Sequence, residues 1–229
     1  MGTRLLQLCC VCTVATVTVA CGGPSSPSAP QSTPTPVPQT LNRPLVMDAL
    51  DYWASAAGIT YVLIDQPVEP DLLIRPGYDG LGPQGGGRAG IFATYQADNR
   101  ARSGLVVFEP GGGTYCKTAW GCRYLHRHEI GHSLCFLGHS DNGLMQSQSD
   151  VLLDRELRMI RTLYSLPHGA RVEPDGRWTV PASGESGLID DVQAAQDVLA
   201  WNVNTASNRS ARQPGLICRW ELPVRVYLQ

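Results

Sequence analysis

The 229-residue chain lacks any excess of basic charge: 18 Lys and Arg stand against 20 Asp and Glu, for a formal net charge of −2. No basic cluster interrupts that balance, which argues against a nucleic-acid partner. Also missing is an apolar run of the roughly 20 residues that a membrane-spanning helix needs. Internal repeats are absent too, which sets repeat architectures aside. Histidine is scarce, five in all, yet three of the five fall between positions 128 and 139.

The first residues read as an address. Arg4 supplies a positive charge, residues 5–20 form a short apolar stretch, and Val19, Ala20 and Cys21 end it. This resembles a bacterial lipoprotein signal (residues 1–21), in which Cys21 is lipidated and becomes the mature N-terminus. Thr18 departs from the usual aliphatic residue at its position. Residues 22–43 are rich in Pro, Ser and Thr, cannot bury a core, and are expected to form a disordered tether. Residues 44–229 are then enough for one domain with its own core. The expected location is the bacterial cell envelope, with the domain exported and held to a membrane by its lipid.

His128, Glu129, Ile130, Gly131 and His132 carry the chemistry. Histidines at i and i+4 lie on one face of a helix and reach a single ion, and the glutamate beside the first reaches a water. Alone, the pentad is as readily a polar helix face. His139, seven residues beyond His132, would lie about 10 Å farther along a continuing helix. It joins the site only if the chain breaks and folds back, and Gly138 offers backbone freedom for that break. Other ligands compete: Cys135 at i+3 from His132, or a downstream carboxylate such as Glu156. His126, at i+2 from His128, faces the wrong way, and His168 in a loop reads as a surface residue or part of a substrate cleft.

Residues 128–139, HEIGHSLCFLGH, followed by Gly143, Leu144 and Met145, resemble the metzincin signature H-E-x-x-H-x-x-G-x-x-H with its Met-turn, in the matrixin-like branch. The resemblance implies a zinc endopeptidase with one catalytic Zn2+ on His128, His132 and His139, with Glu129 as general base and Met145 beneath the metal. It implies an α+β, zincin-like fold: a twisted, mostly parallel sheet with an active-site helix, a Met-turn and a C-terminal helix. A structural Ca2+ is compatible with it, the substrate is a protein or peptide, and a monomer is expected. Two departures stand out. Cys135 occupies the position of the helix-breaking glycine, and the third histidine comes one residue late, so Gly138 is expected to take over the break. The competing reading is a non-catalytic, lipid-anchored surface protein with a structural zinc site that includes Cys135. Nothing resembles the cysteine-switch segment of matrix metalloproteinase propeptides.

Cys9, Cys10 and Cys12 lie in the signal, which leaves Cys116, Cys122, Cys135 and Cys218 in the domain. An even number in an exported domain suggests disulfides, and Cys116–Cys122 with Cys135–Cys218 is the expected pairing among three connectivities.

Hydrophobic spacing predicts a helix over 45–57 ended by Gly58, a buried strand over 59–64 and a shorter one over 71–75. Residues 77–90 read as a glycine-rich surface loop. Strands are predicted over 91–95 and 105–108, the first as the edge strand that pairs with an extended substrate. An amphipathic helix is predicted over 150–164, a strand over 178–180 and a helix over 190–202. Residues 170–229 read as an extension that packs on the domain through Trp201 and Trp220.

Overall fold

The computed structural model describes residues 40–78, 81, 85–93, 100–146, 149–203 and 215–229. The predicted signal, Cys21 and most of the predicted tether therefore lie outside the described residues. The architecture is mixed α and β.

α1 (Arg43–Ala57) starts where the Asn42 side chain accepts from the Leu45 amide, with Pro44 in its first turn, and ends at Gly58 in the left-handed conformation. Its apolar face, Val46, Ala49, Leu50, Trp53 and Ala57, is buried. β1 (Tyr61–Leu63), β2 (Leu72–Pro76), β3 (Gly87–Ala93) and β4 (Ala101–Phe108) follow, then α2 (Ala119–Ser133), the active-site helix of the sequence analysis. Thr118 caps α2, its hydroxyl accepting from the Gly121 amide at 3.0 Å. α3 (Asp154–Ser165), a small sheet of β5 (Arg171–Val172), β6 (Arg177–Val180) and β7 (Glu185–Leu188), α4 (Val192–Val198) and β8 (Val224–Leu228) complete the order.

The main sheet runs β1-β8-β2-β4-β3. β1, β8, β2 and β4 are mutually parallel, and β3 pairs antiparallel with β4 at the edge. The mostly parallel sheet expected from the sequence is thus present. The last strand of the chain lies inside it. Val226 pairs with Leu63 on one side and Leu72 on the other, and is fully buried. The expected extension therefore supplies a core strand, β8, instead of only packing on the domain.

Several predicted elements need correction. The strand at 59–64 shrinks to three residues at the edge of the sheet, where Val62 and Leu63, on opposite faces, are both exposed. The loop predicted over 77–90 ends early. Gly87 to Gly90 belong to β3, where the lack of Cβ lets the strand lie close to α2: a Cβ on Gly87 would stand 2.7 Å from Glu129 Cγ. The predicted strand over 91–95 is described only as far as Ala93. The helix predicted from position 150 begins at Asp154, and Val151, inside the predicted span, lies before it and is exposed.

Candidate metal centre

α2 carries His128, Glu129 and His132 on the side toward the edge strand and the 139–145 segment. Trp53 of α1 fixes the helix from behind: it is fully buried, and its Nε1 donates to the Arg127 carbonyl at 2.7 Å. Gly131 is the residue of closest approach. A Cβ there would collide with the Trp53 ring and stand 2.8 Å from Met145 Sδ. Met145 is fully buried and packs against α2 at Gly131.

His139 returns to the helix, but not by the predicted route. α2 ends at Ser133. The amide of Cys135 donates to the His132 carbonyl and that of Phe136 to the Gly131 carbonyl, each at 3.2 Å, with Cys135 at φ 70. This is a Schellman turn, and its left-handed residue is Cys135, the position of the glycine in the family pattern. Positive φ does not fall on Gly138, so the expectation that Gly138 makes the break is corrected. The reason lies in the contacts. A Cβ in the left-handed region costs about 1–2 kcal/mol, and tertiary hydrogen bonds offset it. Asn202 Nδ2 donates to the carbonyls of both Cys135 and Cys218, each at 2.8 Å, and Asn202 Oδ1 accepts from the Cys218 amide. Trp220 Nε1 donates to the Ser133 carbonyl, the Tyr164 hydroxyl to the Leu134 carbonyl, and the Gly138 amide to the Trp201 carbonyl. The otherwise open carbonyls at the end of α2 are thus satisfied by the C-terminal part of the chain.

The result is a triad. One ring nitrogen from each of His128, His132 and His139 lies within 4.8 Å of the others, a group that could hold a metal ion. Nε2 of His128 is 3.1 Å from Nε2 of His132. His128 Nδ1 lies 2.9 Å from the Leu144 carbonyl and 3.1 Å from the Tyr124 hydroxyl, and His132 Nδ1 lies 2.6 Å from the Phe136 carbonyl. A carbonyl only accepts, so in both rings Nδ1 carries the proton and Nε2 the lone pair. Burial pushes the imidazoles down, His128 to about 4 and His132 to about 3, which keeps both neutral at pH 7. His139, the most exposed of the three, is lowered by the same cause.

Glu129 faces β3. Its carboxyl accepts from the Ala89 amide, and burial outweighs that bond to raise it to about 7. Cys135 and Glu156 are not in the triad. Cys135 is buried with its sulfur 2.8 Å from Cys218 Sγ, the two as unbonded thiols, so the second predicted pair is in contact without a bond. The first pair, Cys116–Cys122, is a disulfide. His126 turns away from the triad, with Nδ1 on the Cys122 carbonyl. His168 lies in the loop after α3, outside the triad.

Glu156, weighed in the sequence only as a rival ligand, supports the site from below. Buried in the first turn of α3, it accepts from the amides of Leu144, Met145 and Leu153 and from the Ser140 hydroxyl. It thereby fixes the Leu144 peptide whose carbonyl orients His128. Tyr124 and Asn202 were also missed. Tyr124 stands four residues before His128 on the same helix face, a legible signal. Asn202 gave none. No protein-family model, curated protein or solved structure matches the chain.

Proposed function

We propose that this chain is a zinc-dependent endopeptidase with a zincin-like fold. The observation that carries the reading is the pair of backbone carbonyls behind His128 and His132, which leave both Nε2 lone pairs free for one ion, with Nε2 of the two rings 3.1 Å apart. A polar helix face needs no such orientation.

The donor set fits zinc. Two nitrogens about 2.0–2.1 Å from one ion at a tetrahedral angle lie about 3.3 Å apart, against 3.1 Å between the two Nε2 atoms here. Three neutral imidazoles from His128, His132 and His139 would leave a coordination position free, the mark of a catalytic site. When bound, zinc supplies Lewis acidity, polarising a peptide carbonyl and bringing the pKa of water down to about 7. The rest falls to the chain's own residues. Glu129, with its carboxyl near 7, takes a proton from the attacking water and returns it to the leaving nitrogen. The Ala89 amide holds that carboxyl in place, and the edge strand β3 offers its open side to an extended peptide. The Glu156-held turn, through the Leu144 carbonyl, keeps His128 from reorienting.

The test is zinc-loaded protein on a mixed peptide library, read by mass spectrometry. Cleavage should require zinc and should vanish in Glu129→Gln while one equivalent of zinc remains. No cleavage by loaded wild type, or cleavage by pure loaded Glu129→Gln, would sink the proposal. Export and lipid attachment at Cys21 belong to the same proposal, and metabolic labelling with a fatty-acid analogue should mark the wild type and not Cys21→Ser.

A further inference from the structure

We infer that Cys116, Cys122 and His126 form a second, redox-gated metal site: a disulfide when oxidised, and a zinc site of two thiolates and one imidazole when reduced. It is independent of the triad reading. One ligand atom from each residue lies within 4.8 Å of the others. Cys122 and His126 stand four residues apart in α2 and so share a face of the helix, and Cys116 comes from the turn Tyr115–Lys117 just before it.

His126 supplies the third ligand atom of the group. It is 2 % exposed, its ring is stacked on Phe108 with centroids 4.3 Å apart, and Nδ1 lies 2.8 Å from the Cys122 carbonyl. That carbonyl fixes the proton on Nδ1 and leaves a lone pair on Nε2, for which no hydrogen-bond partner is found among the described residues. His126 and Cys116 also line a small cavity with Glu109 and Asn42, with about 10 Å³ for the centre of a water. That is room for a single water, the fourth ligand a tetrahedral zinc needs.

The redox step balances with a dithiol reductant. Two electrons and two protons pass to the Cys116–Cys122 bond, giving two thiols, while the reductant closes to its own disulfide. Zinc then displaces both thiol protons and binds as the thiolate form. Either state ties the turn at Tyr115–Lys117 to the start of α2.

The test uses the full chain with Cys9→Ser, Cys10→Ser, Cys12→Ser and Cys21→Ser, so that only thiols of the folded domain respond. Anaerobic reduction with a dithiol should add one equivalent of bound zinc and release two protons. Cobalt in place of zinc should show a thiolate-to-metal charge-transfer band in the reduced protein alone. Cys116→Ser should abolish the added equivalent and the band, and His126→Asn should weaken it at least ten-fold. His132→Ala should leave it intact, so failure of the triad and failure of this site read separately. The band should also survive Cys135→Ala with Cys218→Ala. The inference is overturned if reduction adds no zinc, or if the band persists in Cys116→Ser or is lost with Cys135 and Cys218. The wild-type stoichiometry decides even where a variant does not fold.

Discussion

The two halves of the candidate metal centre are built differently. His128, Glu129 and His132 stand on one regular helix, where spacing alone puts the imidazoles one turn apart. His139 and Met145 stand on a non-helical segment whose course depends on distant parts of the chain. Asn202, Trp220 and Tyr164 take up the carbonyls at the end of α2, and Glu156 gathers the amides of the next turn. A local motif thus sets two candidate ligands, whereas the third is as secure as the packing of Glu156, Tyr164, Asn202 and Trp220 around its turn. A mutation far from the triad should act through His139 before it acts through the helix.

The largest effect should come from Glu156→Ala. It strips acceptors from three amides and a hydroxyl in the core, and each buried donor left unsatisfied costs about 1–3 kcal/mol. A loss of at least about 3 kcal/mol in urea unfolding is expected, and a loss under about 1 kcal/mol would show that Glu156 does not hold the turn. Asn202→Ala should come next, at about 2–4 kcal/mol, since two carbonyls and an amide lose their partner. It should also weaken metal binding about 10–100-fold, the range for residues that orient ligands. Isothermal titration with zinc checks this, and an unchanged affinity would mean the turn does not need residue 202 to place His139.

The smallest effect is in the pH dependence of the metal-free protein, and it bears on the helix half. His128 and His132 titrate in the folded state near 4 and 3, against an ordinary value of 6.5. As pH falls below about 6.5 the unfolded chain takes up protons first, so folded stability is lost progressively toward those lower values. Glu129 opposes this. Its folded value is about 7 against 4.5, so its burial costs stability as pH rises from 4.5 to 7 and relieves that cost on acidification. Glu129→Gln removes the relief, and the urea midpoint should drop more steeply between about pH 7 and pH 5 than in the wild type. Parallel curves would mean that Glu129 is not held in the environment described.

What could be read in advance follows the same division. The α1 boundaries, the Gly58 cap, the ligand pair on α2 and the Cys116–Cys122 bridge were legible because each depends on residues within a turn or two of one another. Cys135 was misread because nothing in its neighbours signals a left-handed residue. The preference for Gly138 came from intrinsic backbone freedom, which is small beside the hydrogen bonds from Asn202. Residues 87–90 were misread because glycines suggest a loop, while here they let a strand approach Glu129.

By itself the sequence determined the helical ligand pair, the adjacent carboxylate and the residue types able to bind a metal, since these depend on helix periodicity and side-chain chemistry. Only the tertiary structure decided that Cys135 turns the chain, that Glu156 supports the site instead of joining it, and that β8 fills the sheet between β1 and β2. Those outcomes rest on contacts between residues as far apart as Leu63 and Val226, and no local spacing encodes which distant partner will satisfy a buried polar group.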